Sequence, residues 1–253
     1  MKHAWRHGVF VPMALSCATA APAQTSPQAQ PAAIAAQGRA QAGQRLSEAV
    51  LEAGTNAQEP YGLGLMWLQP AARAQQHQQQ RSLLAQLPVW AQQHGVTSAH
   101  ATRLQRQLAA MPVTGRTSLA AQDPHWLQGN PLADPPMAQG DVWWLPVRPR
   151  TVRLWFDTGL RCDASFRPEA QARDYVAACA AAGSAEAAAD RAFVVQPDGR
   201  AQGVGLTGWN EAAQAAPAPG AWIWVRSAGS RWPEALHAQM AEWLATQGPA
   251  GVM

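Results

Sequence analysis

Two segments of this chain begin alike, and each closes a block of similar composition. The first segment is GDVWWLPV, from Gly140 to Val147, and the second is PGAWIWV, from Pro219 to Val225. A predicted helix ending in Ala-Gly precedes each of them, at Gly54 and at Gly183. Because a repeated block is the signature of a repeated structural unit, we expect two copies of one small α+β unit. Such a duplication favours a module for binding or assembly over a single catalytic domain.

Residues 1–23 have the pattern of a cleaved signal peptide. Lys2 and Arg6 precede a short apolar run, and Ala21-Pro22-Ala23 is an A-x-A cleavage signature. The apolar run is too short to span a bilayer. Lipidation of Cys17 is the alternative, but Ala14 stands where a lipoprotein box has a large aliphatic residue. We therefore expect a protein that is secreted to the periplasm.

Cleavage would leave the mature chain almost neutral. Removing Lys2 and Arg6 from the 19 basic residues leaves 17, against 16 acidic residues. A surface of this kind lacks the electrostatic footprint that nucleic acid requires, so we expect no nucleic-acid partner.

Helix and turn signals divide the mature chain into two units. Residues 24–43 form a lead rich in Ala, Gln and Pro, in which residues 32–37 have the composition of a weak first strand. The predicted units and tail follow: the first unit at 44–149 with a helical hairpin inserted at about 70–111, the second unit at 150–228, and a terminal helix and tail at 229–253. The Gln-rich face of the hairpin is expected to be solvated, with a partner helix as the alternative.

Helix signals predict two helices in the hairpin, at about 70–86 and 98–110, and one helix in the second unit at 168–182. Pro197-Asp198-Gly199-Arg200 predicts a tight turn in which the glycine has a positive φ.

Strand signals resume after the hairpin. A strand is expected within residues 112–120, and Pro146 and Pro149 predict that the strand beginning at Gly140 lies at a sheet edge.

Cys162 and Cys179 are the two cysteines that remain after cleavage. A disulfide between them is the expectation, because the compartment is oxidising. Sixteen residues separate the two cysteines. Closing a loop of that length contributes about 3 kcal/mol. The alternative is a pair of small buried thiols.

The terminal helix, at about 233–246, carries a stripe of large apolar residues. Its members fall at helical spacing: Leu236, Met240, Trp243 and Leu244. The stripe either docks on the protein's own core or serves as a contact with a partner or a membrane surface. Trp222 and Trp224 pose a similar choice, since they share one sheet face that is either core or a platform for sugars.

Catalytic patterns are poor in this chain. No HExxH, G-x-S-x-G or Walker motif occurs, and no metal site or cofactor is expected. The histidines, including His237, are expected at the surface. Asp157 and Asp163 are better explained as turn residues than as a glycosidase pair. Arg116 follows a glycine in a predicted strand, where its guanidinium could hold a carboxylate or carbonyl cluster or could be a structural ion pair. We expect its side chain to be largely buried and paired within the first unit.

Three stretches, taken in order, resemble the GfcC-like family of capsule-biosynthesis proteins. They are MPVTGR at 111–116, the run from Asn130-Pro131-Leu132 through Gly140-Asp141 to Val152, and VQPDGR at 195–200 with Gly208-Trp209-Asn210 and Pro219-Gly220-Ala221. The resemblance implies an α+β fold of two β-grasp (SLBB-like) domains similar to those of the polysaccharide exporter Wza, a helical hairpin in the first, and a C-terminal amphipathic helix.

The same resemblance supplies expectations about function. It implies a periplasmic accessory protein for capsular or exopolysaccharide export that is not an enzyme and binds glycan or the outer-membrane export machinery. The alternative is a periplasmic enzyme that modifies polysaccharide. Arg116, Trp209 and Asn210 are the residues that we assign to binding on this basis.

Overall fold

The structure is a computed structural model that describes residues 34–41, 43–54, 59–183, 188–207 and 216–250. The predicted signal peptide with Cys17, and the candidate binding residues Trp209 and Asn210, lie outside these ranges. The described part is mixed α+β, with six α-helices and two β-sheets. None of its helices has the combination of length and apolar character that crossing a bilayer requires.

The first unit contains the first four strands and the helical hairpin. Its elements are β1 (Ile34–Arg39), α1 (Leu46–Gly54), a short 3-10 helix (Gly62–Gly64), β2 (Met66–Leu68), α2 (Pro70–His94), α3 (Ser98–Ala109), β3 (Arg116–Thr117), α4 (Pro124–Gln128) and β4 (Val142–Pro146). The predicted weak first strand is thus present as β1. The strand expected within 112–120 is reduced to the two residues of β3.

The first sheet is antiparallel throughout and has the strand order β1-β4-β2-β3. β4 therefore lies inside the sheet, and the prediction that its prolines place it at an edge is wrong. Pro146 is the last residue of the strand, and the pairing with β1 shifts register there, between Ile34 and Ala36. A proline is tolerated at this point because it ends the strand at the register shift, where the regular pattern of ladder hydrogen bonds is interrupted.

The second unit contains the remaining strands, one helix between two hairpins, and the terminal helix. Its elements are β5 (Thr151–Phe156), β6 (Arg161–Ser165), α5 (Ala172–Ala181), β7 (Ala189–Val195), β8 (Ala201–Gly205), β9 (Trp222–Ser227) and α6 (Glu234–Ala245). The sheet order is β6-β5-β9-β7-β8. β5 and β9 run parallel, whereas the other neighbours are antiparallel.

The two sheets share a plan without matching strand for strand. In each sheet the closing strand lies in the interior beside the strand that opens the unit, β4 beside β1 and β9 beside β5. That pair is antiparallel in the first sheet and parallel in the second. The duplication predicted from the sequence therefore holds for the position of the closing strand but not for the direction of its neighbour.

Helix α2 is longer than its sequence suggests and contains Pro88. A run to about residue 86 was expected, but Leu87 and Ala91 continue the buried stripe begun by Leu83 and pack in the same core. Gly95 then ends the helix in the left-handed conformation, with its N–H donating to the Ala91 carbonyl. The free energy gained by burying this stripe exceeds the cost of the backbone hydrogen bond that Pro88 removes from the helix interior.

The second sheet is covered on both faces. Alternate residues of β5 and β9, such as Leu154 and Ile223, pack with α5 on one face. Trp155, Trp222 and Trp224 project from the other face into a core shared with α2, α3 and α6. Of the two alternatives for the β9 tryptophans, the structure shows the core.

Helix α6 docks on this second face. The four residues of its apolar stripe are 0 % exposed: Leu236, Met240, Trp243 and Leu244. They pack in the core that the hairpin and the second sheet share. Docking on the protein's own core is therefore the alternative that the structure shows, and these side chains are not displayed to a partner or a membrane surface.

Candidate functional site

The segment before β3 has a backbone shape that only glycine tolerates. Gly115 has a φ of +78° and accepts a hydrogen bond from the Gln69 N–H at 2.8 Å. A Cβ atom at this position would lie 2.5 Å from the Gln69 carbonyl oxygen. The turn is held further by the Thr114 hydroxyl, which accepts from the Arg116 N–H at 2.9 Å. These constraints reduce the expected strand to two residues and fix the direction in which Arg116 leaves the backbone.

Arg116 is buried, as predicted, with 6 % of its surface exposed. Its partners, however, lie outside the first unit. Nη1 donates to the Gln247 carbonyl at 2.6 Å, just beyond α6, and Nη2 donates to the Pro197 carbonyl in the β7–β8 turn. Burial lowers the pKa of Arg116 to about 10, although the charge of Asp198 acts in the opposite direction. At neutral pH the guanidinium remains charged and joins the two units.

The β7–β8 turn is shaped to receive this guanidinium. Gly199 has a φ of +89°, and a Cβ there would lie 3.7 Å from Cζ of Arg116 and 3.1 Å from the Ala245 carbonyl oxygen. The Asp198 carboxylate accepts from the Arg200 N–H at 2.9 Å, which closes the turn. Two of the sequence stretches that carry the family resemblance, MPVTGR and VQPDGR, therefore meet at one point.

The tail after α6 is the third component of this contact. The Thr114 hydroxyl donates to the Thr246 carbonyl at 2.7 Å, and Trp222 Nε1 donates to the Gly248 carbonyl at 2.9 Å. The Ala250 N–H donates to the Gly220 carbonyl at 2.8 Å. Since both ends of the Arg116 fork are occupied by these structural partners, Arg116 acts as a clamp in this structure.

The Gln-rich side of α2 also contributes to the clamp. Gln76 is buried; its Nε2 donates to the Arg116 carbonyl at 2.9 Å, and its Oε1 accepts from the Gly115 N–H at 2.8 Å. Gln80 donates to the Leu108 and Met111 carbonyls, each at 2.9 Å. The expectation that these glutamines are merely solvated is wrong at both positions, because they satisfy backbone groups in the last turn of α3 and in the segment that follows it.

Cys162 and Cys179 form a disulfide with an S–S distance of 2.07 Å. The bond joins β6, an edge strand of the second sheet, to α5. It fixes the helix to a strand that has a neighbour on one side only.

A cavity of about 310 Å³ lies where the α2–α3 turn meets the loops after β5 and β9. Asp157 and Thr158 line it from one side, and Trp232 lines it from another. Asp157 is 2 % exposed; its Oδ1 accepts from the Ser227 hydroxyl at 2.7 Å, while its backbone carbonyl accepts from Trp232 Nε1 at 2.9 Å. Within the described ranges, Asp157 Oδ2 and Thr158 Oγ1 have no hydrogen-bond partner. Each of these oxygens can accept a hydrogen bond from an O–H or N–H donor.

His237 lies in the core rather than at the surface, where the sequence analysis placed it. The side chain is 1 % exposed, and Nδ1 accepts a hydrogen bond from Trp224 Nε1 at 3.1 Å. Burial lowers the pKa of His237, although the charge of Asp157 opposes the shift. Because Nδ1 is the acceptor, the imidazole is neutral with its proton on Nε2.

The two aspartates considered as a catalytic pair have separate structural roles. Asp157 is bonded to Ser227 at the carboxyl end of β5, whereas Asp163 forms a two-pronged ion pair with Arg153 at 2.6 and 2.9 Å. Among the residues that the structure describes, no three His, Cys, Asp or Glu side chains are grouped so as to hold a metal ion.

A second cavity, of about 170 Å³, lies at the C-terminal end of α3. Met111 and Pro112 line it from the first unit, and Arg153, Arg161 and Trp222 line it from the second sheet. The Arg153 guanidinium lies 5.2 Å from the centre of the Trp222 ring. Sequence reasoning missed both arginines, although their register on the neighbouring strands β5 and β6 places them on the face that carries Trp155 and Trp222.

Comparison with known proteins places the chain in a family. Residues 161–247 match the family model described as "Capsule biosynthesis GfcC C-terminal". The chain is also 33 % identical over 177 residues to "Uncharacterized protein YjbG" of Escherichia coli (strain K12), an alignment that covers 68 % of this chain and 70 % of that relative. The family match begins at β6 and includes the β7–β8 turn and the Gln247 end of the Arg116 clamp. The chain belongs to the GfcC-like family of capsule-biosynthesis proteins.

Proposed function

We propose that this protein is a periplasmic accessory factor in the biosynthesis or export of a capsular or extracellular polysaccharide, and that it acts by binding the polysaccharide. Family membership supports the pathway. The signal-peptide pattern in residues 1–23 supports the location. The proposed action is binding without a chemical step.

The observation that carries a binding role is the cavity at the α2–α3 turn. Its volume of about 310 Å³ lies within the range of small-ligand pockets, roughly 300–1,000 Å³. The buried Asp157 carboxylate has one oxygen committed to Ser227, and the other has no partner among the described residues. This oxygen is itself buried behind the cavity wall, so a sugar hydroxyl would supply the missing donor by displacing the side chains that cover it, while Trp232 provides an aromatic wall.

We also propose that the second unit is a β-grasp domain and that the first is a modified version of it. The strand order β6-β5-β9-β7-β8, with parallel central neighbours β5 and β9 and α5 on one face, supports this assignment. In the first unit the antiparallel pairing of β1 with β4 is the modification.

The helices that cover the second sheet leave a cavity at each end of the hairpin, one at the α2–α3 turn and one at the C-terminal end of α3.

A direct test uses mature protein and the polysaccharide of the cells that encode it. Isothermal titration should show binding, and incubation with the protein should leave the polymer's size distribution and composition unchanged. Deleting the gene should reduce surface polysaccharide. Shortening or modification of the polymer would instead establish an enzyme. Intact output in the deletion strain together with no binding would overturn the proposal.

The cavity itself is tested with Asp157→Asn. This variant keeps the shape of the side chain and an oxygen that can accept from Ser227, but it removes the carboxylate. We expect binding to weaken at least 10-fold. Glu169→Gln, which removes one negative charge from an exposed loop of the same unit, is the matched control. Co-purification with an outer-membrane exporter in the absence of any glycan affinity would favour the export machinery as the partner.

A further inference from the structure

We propose that the cavity at the C-terminal end of α3 binds a carboxylate group of an acidic polysaccharide, with Arg161 as the residue that pairs with it. This inference rests on the proposed function and specifies the chemical class of the polymer. The ligand is a sugar carboxylate, such as that of a uronic acid, and the sugar ring lies against the apolar wall of the cavity.

Strand register brings the charged residues of this cavity together. In the antiparallel pair of β5 and β6, Arg153 lies opposite Asp163 and Trp155 lies opposite Arg161. Because side chains two apart on a strand share a face, all four project to the face covered by α3 and α6. Arg153 and Arg161 both line the cavity, which opens where β6, an edge strand, leaves this face uncovered.

The two arginines differ in what already neutralises them. The Arg153 guanidinium donates to both carboxylate oxygens of Asp163, from Nε at 2.6 Å and from Nη2 at 2.9 Å. The Arg161 guanidinium makes no hydrogen bond or close ion pair with any residue that the structure describes, although the charge of Asp163 acts to raise its pKa. The local group of two guanidinium cations and one carboxylate therefore has one unmatched positive charge, which is carried by Arg161.

Arg161 is exposed on one side, but the neighbouring Arg153 cation makes its unmatched charge less favourable than an isolated surface charge. Burial and the neighbouring Arg153 cation both lower the pKa of Arg161. An incoming anion would relieve this repulsion. A guanidinium is planar and presents paired N–H donors, so its best anionic partners are the two-oxygen edges of carboxylate and phosphate groups.

The rest of the lining suits a sugar better than a bare anion. Met111, Pro112 and Pro249 give apolar surface, and the Trp222 ring stacks under the Arg153 guanidinium. The volume of about 170 Å³ equals that of about six water molecules in the liquid. It is sufficient for the charged end and part of one ring, with the remainder of a polymer left outside.

The test compares an acid with its own reduced form. Tetramers of galacturonate and of mannuronate are titrated into mature protein at low salt, alongside the same tetramers with each carboxylate reduced to a primary alcohol. We expect the acidic form of at least one tetramer to bind at least 10-fold more tightly than its reduced form. Binding should weaken as the sodium chloride concentration is raised, because salt screens the attraction between the carboxylate and the guanidinium.

Variants assign the effect to Arg161. Arg161→Gln should weaken binding of the acidic tetramer at least 10-fold, and Arg161→Lys should weaken it less, because a lysine keeps the charge but not the fork. Arg191→Gln is the matched control: Arg191 is an exposed arginine on β7 of the same sheet and does not line the cavity. The control should bind within 2-fold of wild type. Each variant should keep the wild-type midpoint of urea unfolding.

Several results would overturn the inference. These are failure of both acidic tetramers to bind, equal binding of the reduced tetramers, or an Arg161→Gln variant that binds within 2-fold of wild type. Inorganic phosphate that binds more tightly than either tetramer would reassign the cavity to phosphate. If the cells' own polysaccharide still binds with no dependence on Arg161, this inference fails and the proposed function stands. Absence of all polysaccharide binding, with normal output in the deletion strain, refutes both.

Discussion

Arg116 brings a positive charge into a buried site in which carbonyl oxygens, and not carboxylates, are its hydrogen-bond partners. Its Nη1 partner, the Gln247 carbonyl, lies two residues beyond the end of α6. The C-terminal end of a helix carries partial negative charge, which stabilises a nearby cation. The Pro197 carbonyl supplies the second acceptor. Charge-assisted hydrogen bonds and the helix end together offset the cost of burying the guanidinium.

Replacement of Arg116 by lysine tests the clamp. A lysine is a point charge on a flexible stem and cannot reach both carbonyls in the geometry of a planar fork. We expect Arg116→Lys to lower the free energy of unfolding by about 2–3 kcal/mol, the size of a lost hydrogen bond to a charged group. Urea denaturation measures this, with Arg106→Lys on the exposed side of α3 as the control. Equal stability of the two variants would show that the clamp contributes nothing.

Gly115 offers a second test at the residue scale. Its φ of +78° and the 2.5 Å approach of a Cβ to the Gln69 carbonyl oxygen both oppose a side chain. Gly115→Ala should therefore lower the free energy of unfolding by about 1–3 kcal/mol. Gly54→Ala is the matched control, because nothing lies within 4 Å of a Cβ at the end of α1. Thermal unfolding compares the stability of the two variants. Equal melting temperatures would contradict the prediction.

At the scale of elements, α6 is the helix that closes the second face of the sheet. Trp243 is fully buried, and its Nε1 donates to the sulfur of Met111 at 3.4 Å, at the end of the hairpin. The next residue along the face, Met240, and the sheet residues Trp155 and Trp224 belong to the same core. Helix α6 therefore contacts the hairpin of the first unit and the sheet of the second.

Truncation of Trp243 measures the contribution of this docking. Trp243→Ala removes a large buried side chain and should cost about 3–5 kcal/mol of unfolding free energy. Glu242→Ala, one residue earlier on the exposed side of α6, should change it by less than about 0.5 kcal/mol. Both variants are compared by urea denaturation. A Trp243→Ala protein as stable as wild type would contradict the packing described here.

The disulfide is a covalent link between two elements of the second unit. It connects Cys162 on β6 to Cys179 on α5. Thiol titration of the unfolded, unreduced mature protein should detect no free thiol. Reduction should lower the free energy of unfolding by about 3 kcal/mol, given the length of the loop that the bond closes. Two titratable thiols before reduction would show that the bond does not form in the mature protein.

At the scale of the whole molecule, the hairpin of the first unit shares a core with the second sheet, while the first sheet packs with α1 in a core of its own. Leu83 and Leu104 of the inserted hairpin pack with Trp155 and Trp224 of the second sheet. The Arg116 clamp and the tail after α6 add polar bonds between the units. The face of the second sheet that carries Trp155 is covered by α2 and α3 of the first unit together with α6, whereas α5 of the second unit covers the other face.

A shared core predicts cooperative unfolding. The mature protein should unfold in a single thermal transition, with coincident far-UV and near-UV circular dichroism and equal calorimetric and van't Hoff enthalpies. Two resolved transitions would mean that the units are independently stable. In that case the contacts between hairpin and sheet would contribute less than the contacts within each unit.

Much of the fold follows from local sequence patterns. Helix α3 was expected at about 98–110 and spans Ser98–Ala109. The apolar stripe of α6 and the glycine turn at Gly199 are also predictable from the sequence, because helix periodicity and positive φ are properties of short segments. The observed helix boundaries differ from the predicted ones where capping or packing determines them. Helix α5 is predicted from about residue 168 but begins at Ala172, where Asp174 accepts a hydrogen bond from the Gln171 N–H at 2.8 Å.

The sequence by itself determined the α+β class, the family, the hairpin and the buried character of Arg116. Only the tertiary structure decided what Arg116 binds, since its partners lie 81 and 131 residues away along the chain. It also decided that β4 lies inside its sheet and that Arg153 and Arg161 share a cavity with Met111. The physical reason is that periodicity reports which face of an element is apolar, whereas the choice of what covers that face depends on contacts between distant segments.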